Sequence, residues 1–314
     1  ILNISNNHNR NMSFFKKIDK LISAFEEEMK KYFSNYEIFN VFKSNKRILF
    51  FLFNEKIIKP DESIAITITR GKYKDYLYHY YFFPEFKQFY DEFLLNEINE
   101  IFPNLFKNGE IADIEKFNQN RQNGENEKEI CRLVRQDSVD EFINFVHENR
   151  SITSAEIEPS IFETNLFLMD KCPTLIEYAA FFGSFNIFKY LYLIDTKLVS
   201  SLWLYSIHGR KKETLQLLKE KFVKPKDTSY QECLFESIKC HHLKITNNLL
   251  KAKILDNVDF YSKSIKCYNF EFFPNDINEE DDIFYLLCYC DFYSIVDFLL
   301  KTTDIDINSV QISI

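Results

Sequence analysis

The densest group of side chains able to hold a metal or attack a carbonyl is Cys233, Cys240, His241 and His242, with Cys288 and Cys290 further on. Thiolates and imidazoles are zinc ligands, but structural zinc sites draw on closely spaced cysteine pairs, and the chain contains no C-x-x-C. Cys240 also offers a nucleophile beside two candidate bases. Adjacent residues on a helix point in different directions, however, and no third group is spaced to orient the base. Small buried thiols on helices are the expected reading, so no catalytic residue, metal ligand or cofactor is assigned.

Other chemistry is equally hard to place. The five glycines, at 71, 109, 124, 183 and 209, leave no G-x-G or Walker loop to cradle a phosphate. No G-x-S-x-G, H-E-x-x-H or kinase signature occurs. The acidic clusters at 125–129 and 279–282 lack the spacing of a calcium loop and read as solvated loops and helix starts. The chain is not expected to be an enzyme.

Composition narrows the class. At 314 residues and 46% hydrophobic, the chain can build about two domains or one extended solenoid. It holds 34 Phe and 18 Tyr but only 5 Gly and 7 Pro, too few turn residues for an all-β fold. A net charge of -8 provides no general field to hold a phosphate backbone, so nucleic acid is not an expected partner. Short basic pieces such as Lys16-Lys17, Lys30-Lys31 and Arg210-Lys211-Lys212 are answered by nearby acids and read as solvated helix faces. The longest apolar candidate, Ile48 to Phe53, is far short of a membrane span. The polar Ile1 to Arg10 stretch lacks the apolar core of a secretory signal. An intracellular setting, cytoplasmic or nuclear, is expected, with seven reduced cysteines.

The elements that must position these residues are read from one segment. Residues 172–192, CPTLIEYAAFFGSFNIFKYLY, carry a Thr174 cap with Glu177 three positions on, a small pair Ala179-Ala180, Gly183 to end the helix, and Ile187, Phe188 and Leu191 at helical spacing. This resembles the ankyrin repeat, in which a TPLHxAA helix is followed by a turn and a GHxEIVxxLL helix. The turn column of Gly183 recurs at Asp137, Arg210, His241 and Asp291. The Ala180 column is filled by Val134, Ile207, Ile238 and Cys288, and the Leu191 column by Phe145, Leu218, Leu249 and Leu299. Ser201 and Asp282 fill the cap column, while Lys128 and Glu232 depart from it and Ser229 is a candidate cap for an earlier start. Turn spacings of 46, 27, 31 and 50 residues bracket the regular ~33 and place insertions at 148–171 and 252–281. An armadillo or HEAT stack is the structural rival. The Ala-Ala-x-x-Gly step and the closing Thr303 to Asn308, similar to an ankyrin end motif, favour ankyrin.

The N-terminal half is mostly helical by pattern. Apolar residues at 14, 18, 21, 22, 25 and 29 make one helical face, and Tyr36 to Ile58 looks like a worn hairpin turning at Ser44. Pro60 to Gly71 alternates Ile64, Ile66 and Ile68, leaving strand, helix and loop all open. Pro84 suits the first turn of a helix running to about Phe102 with Phe86, Phe89, Tyr90, Phe93 and Leu94 inward. The polar stretch 108–127 reads as a flexible connection. The expected organisation is a leader or disordered start at 1–12, a helical N-terminal region of unknown function at 13–107, that linker at 108–127, degenerate ankyrin-type repeats at 128–308, and a tail at 309–314.

The pieces Lys46-Arg47-Ile48-Leu49, Tyr81 to Phe86, Ile161 to Asn165 and Pro173 to Ser184 together resemble a large protist group of ankyrin-containing proteins, of the trichomonad type, with an N-terminal domain of unknown function. The resemblance covers nearly all of the chain from about residue 13. It implies an all-α, ankyrin-like helical-hairpin solenoid and protein binding at most. By that resemblance the partner would lie along the concave face of the first helices, at Tyr178, Phe181, Phe182, Tyr205, His208, Glu236, Lys239 and Tyr289, where aromatics would serve as hot spots. The function implied is a non-catalytic scaffold or adaptor that binds another protein. The alternative is a substrate-recruiting regulatory subunit of an enzyme complex such as a ubiquitin ligase or kinase. Partner identity and oligomeric state are left open.

Overall fold

A computed structural model describes residues 2–7, 12–148, 156–169, 171–194, 196–251, 257–272 and 281–302. The protein is predominantly helical. Among the described residues the strands are Phe106–Lys107 and Glu110–Ile111, one short antiparallel pair. The closing 303–308 motif and the 309–314 tail lie outside the described residues. The chain divides into two compact units, residues 1–179 with 186–196, and residues 180–185 with 197–314.

The first unit is built on an aromatic core. Phe39, Tyr78, Tyr81, Phe82, Phe86, Phe106, Phe117 and Phe162 are all buried together. Rings meet edge to face, as their quadrupoles favour, with Phe53 and Phe86 centroids 5.3 Å apart at 85°. The expected hairpin at 36–58 is present as Asn35–Phe42 and Lys46–Asn54. Ser34 and Glu37 cap the first helix reciprocally and the Asn45 side chain caps the second, each satisfying amides that the helix start leaves open.

Several expectations for this half are corrected. Residues 2–7 are a helix, Leu2–Asn7, whose Ser5 and Asn6 side chains accept from Asn45 Nδ2 at 3.1 and 2.6 Å, so these residues are helical and not disordered. The long first helix breaks at Phe25 into Met12–Ala24 and Glu26–Tyr32, which turns Leu21 and Phe25 outward. The 60–71 stretch is helical over Glu62–Ile68: Ile64 and Ile68, four apart, are buried, while Ile66 is exposed. The Pro84 helix stops at Phe86. A new helix, Glu92–Ile101, starts from an Asp91 cap, leaving Phe89 exposed and Phe93 77% exposed.

The 108–127 stretch is not a flexible linker. It contains the helix Ile114–Asn123, capped by Asp113 and closed by Gly124 at φ 67°. Phe117 is in the aromatic core, and the buried Arg121 lies 4.3 Å from the Phe50 ring centroid while donating to Glu85 at 2.6 Å. Two side chains fasten a segment whose composition is otherwise polar.

The five hairpins fall where the columns placed them. They are Glu129–Gln136 with Val139–Glu148, Leu175–Phe182 with Phe185–Leu193, Leu202–Gly209 with Lys212–Glu220, Gln231–Lys239 with Leu243–Leu250, and Asp281–Tyr289 with Tyr293–Thr302. Each marker residue is left-handed: Asp137 φ 52°, Gly183 68°, Arg210 56°, His241 54° and Asp291 58°. Each marker amide donates to the carbonyl three residues back, that of Val134, Ala180, Ile207, Ile238 or Cys288, at 3.0 to 3.3 Å. That bond is one half of the Schellman closure, a motif in which the residue after the helix is left-handed. The core columns are buried except at Cys288, which is exposed, and Phe145, which is half-buried. Thr174 and Glu177 are hydrogen-bonded as expected, at 2.8 Å from the Thr174 amide. In the fourth hairpin Asp227 takes the larger capping role, accepting from the Glu232 amide at 2.9 Å.

The 252–281 insertion hides a further helix, Asn257–Lys266, followed by a left-handed Tyr268 at φ 57° and a 3-10 turn, Phe270–Phe272. In the second unit the helices Leu202–Gly209, Gln231–Lys239, Asn257–Lys266 and Asp281–Tyr289 pack one against the next.

Candidate functional site

The metal-capable residues regroup. Among the described residues the group placed to hold a metal is His208, Glu236 and Cys240. Cys240 meets His208, from the end of the Leu202–Gly209 helix, and Glu236, one turn earlier on its own helix and so on the same face. His208 Nε2 lies 2.8 Å from Glu236 Oε1, and the Cys240 Sγ lies 3.6 Å from His208 Nδ1 and 3.8 Å from the same carboxylate oxygen. The His208 ring stacks on Phe181, with centroids 4.9 Å apart at 29°.

Burial would raise the Glu236 carboxyl, but the hydrogen bond and charge of His208, with Lys239, outweigh it and hold the carboxyl down to about 2. Burial pushes the Cys240 thiol well above its ordinary range, and it is 1% exposed. His208, Glu236 and Cys240 could together offer three metal ligands within 4.8 Å of one another. The Glu236 oxygen that would face a cation already takes the His208 nitrogen and, at 3.2 Å, the Lys239 ammonium. The positive charge at this carboxylate is supplied by the protein itself. Close spacing along the chain could not reveal the set, since His208 and Glu236 are 28 residues apart; only laying neighbouring hairpins side by side would.

The eight residues expected to form a binding face divide sharply. Tyr178, Phe181, Tyr205 and His208 are buried, which corrects their placement on an exposed concave surface. In the Leu175–Phe182 helix Leu175, Ile176, Tyr178, Ala179, Ala180 and Phe181 are all buried, so no face is left to solvent over that run. The Tyr178 hydroxyl accepts from Arg135 at 3.0 Å. Phe181 lies against Tyr205 and His208, and Phe182 is half-buried with its centroid 5.4 Å from that of Phe181. Glu236 and Lys239 join the His208 cluster. Tyr289 alone of the eight is fully open, 65% exposed and stacked on Tyr285.

What the first-helix reading missed is a groove on the second helices. Between Lys212–Glu220 and Leu243–Leu250 lies a groove of about 750 Å³ floored by Trp203, Ile207, Leu215, Ile245 and Leu249. Arg210, Lys212, Lys219 and Lys244 stand along it, and among the described residues no carboxylate lines it. The Arg210-Lys211-Lys212 run was the available signal, read as a solvated face.

The architecture defines an all-α protein of successive helix–turn–helix hairpins. No protein-family model matches the chain, and neither a curated protein nor a solved structure matches it. Among the described residues no helix is long and apolar enough to cross a membrane.

Proposed function

We propose that the chain is a non-catalytic scaffold or adaptor that binds another protein through degenerate ankyrin-type hairpins. The observation that carries this reading is the left-handed turn at all five column positions, four of them at non-glycine residues. A hairpin of this kind cannot bury its apolar face alone, and stacking successive copies yields extended surfaces suited to protein partners. The buried Cys240 thiol supports a binding role over thiol chemistry. The resemblance to the protist ankyrin-containing group belongs to the same proposal.

Isolation of the native protein after cross-linking tests the reading. A stoichiometric complex with one protein partner, surviving size exclusion at cellular concentration, is expected. Recovery of the free chain alone counts against it.

A further inference from the structure

We propose that the groove between the Lys212–Glu220 and Leu243–Leu250 helices docks an acidic, amphipathic helical segment of the partner protein; this rests on the scaffold reading and names its partner's chemistry. The apolar groups a ligand reaches in the floor are Leu215 and Ile245, half-buried, set over the nearly closed side chains of Trp203, Ile207 and Leu249. Such a surface draws apolar side chains out of water. The rim carries the opposite signal to the rest of the chain. Acids outnumber bases 47 to 39 overall, yet among the described residues four cations and no carboxylate line this groove.

Those cations are available. Lys212, Lys219 and Lys244 are exposed, and among the described residues none of them forms an ion pair. Glu220, on the same helix, accepts instead from Gln216 at 2.8 Å and is not in the lining. Arg210 is held by donating from Nε to His242 Nε2 at 3.0 Å, which fixes one charge at the groove's end. Positive charges above an apolar floor select and orient an acidic ligand, while the floor supplies the affinity.

The shape favours a helix. The flanking helices have nine and eight residues, about 12 to 14 Å at 1.5 Å per residue, which matches roughly two turns of a ligand helix. Two helices offer no strand edge to extend, so an i, i+3, i+4, i+7 set of apolar anchors is the fitting mode.

The chain's single tryptophan makes the groove self-reporting, because Trp203 sits in the floor with its indole N–H donated to the Val223 carbonyl at 2.7 Å. The full chain is titrated with a tryptophan-free helical peptide carrying Leu at those anchor positions and Glu elsewhere. The same pattern with Lys for Glu, and a single-stranded thymidine oligonucleotide, serve as the other arms. Expected is a saturable Trp203 fluorescence change and calorimetric heat with the Glu peptide, weakened at least tenfold by Lys212→Glu with Lys244→Glu. No saturable binding by either readout, equal affinity for the Lys peptide or the oligonucleotide, or indifference to the charge reversal overturns the proposal. If the reversed variant still assembles with the native partner at wild-type affinity, the groove assignment falls while the scaffold reading stands. A peptide-binding groove on a chain that is isolated only free leaves the scaffold reading as the one that fails.

Discussion

Gly183 and Gly209 lie back to back with no room for a side chain between them: a Cβ added at Gly209 falls 2.0 Å from the Ala180 carbonyl oxygen, and one added at Gly183 falls 2.5 Å from the Gly209 oxygen. Both obstacles are backbone, so neither can swing aside. Gly209→Ala is expected to destabilise by about 3 kcal/mol or more, at the top of the overpacking range. Gly71→Ala is the control. That residue is left-handed, at φ 52°, as Gly209 is not, and meets nothing within 4 Å, so there only the conformational cost of about 1 to 2 kcal/mol applies, whereas at Gly209 only the clash does. Urea midpoints of the two variants, compared with wild type, separate the two costs; a Gly209→Ala variant as stable as wild type would show that the close approach carries no cost.

These two glycines also mark how far the fold could be read in advance. The turn columns were legible because a Schellman closure is local: the marker and its acceptor are three residues apart, and Ala180 and Gly183 stand in plain view. Arg210 and His241 were found only by alignment to that unit, since nothing about their chemistry announces a positive φ. The burial of Tyr178, Phe181 and Tyr205 was not legible, because the groups that cover them come from distant parts of the chain. Helix Ile114–Asn123 was hidden for a related reason: Phe117 and Arg121 fasten it, and a cation held by Phe50 and Glu85 looks in sequence like any solvated arginine. The groove was missed because its cations come from two different hairpins.

Asp137 links one hairpin to the next. From a left-handed turn at φ 52°, its carboxylate accepts from the Ile187 amide at 3.0 Å and from the Asn186 amide and side chain at 3.3 and 2.9 Å, capping the Phe185–Leu193 helix. Asp137→Ala removes the cap and keeps the strained turn, with an expected loss of about 1 to 2 kcal/mol. Asp137→Gly removes the cap but relieves the turn, and Asp137→Asn retains an acceptor that tolerates left-handed φ. Thermal unfolding should therefore rank the losses Ala, then Gly, then Asn; an Ala variant as stable as Asn would refute the cap.

The Glu236 carboxyl should govern part of the acid limb. Its folded value of about 2 lies below the ordinary 4.5, so its contribution is fully present above 4.5 and is lost as pH falls from there through about 2. The contribution is up to about 3 kcal/mol, at 1.36 kcal/mol per unit. Glu236→Gln removes the charge while keeping the shape, so its stability should fall less steeply across that window than that of wild type. Denaturant titrations at pH 5 and pH 3 decide it. Parallel slopes would mean that the His208 contact does not hold the carboxyl down.

Lys46 poses the opposite case at alkaline pH. Its ammonium is buried in the aromatic core, donating to the Ile161 and Glu163 carbonyls at 2.9 and 3.2 Å, with the Tyr78 and Tyr81 ring centroids at 5.3 and 5.0 Å. Burial, partly offset by Glu163, depresses it from 10.5 to about 7. Between those values the unfolded chain holds a proton that the folded chain does not, so this group makes stability rise with pH across the window, and its penalty is full below pH 7. The neighbouring Tyr78 and Tyr81 phenols, pushed up by burial, act in the other direction above their ordinary value of 10. Taking wild type minus Lys46→Met at each pH cancels them. That difference should move in favour of wild type by about 2 kcal/mol from pH 7 to pH 9, and a difference independent of pH would show that the ammonium keeps its proton inside the core.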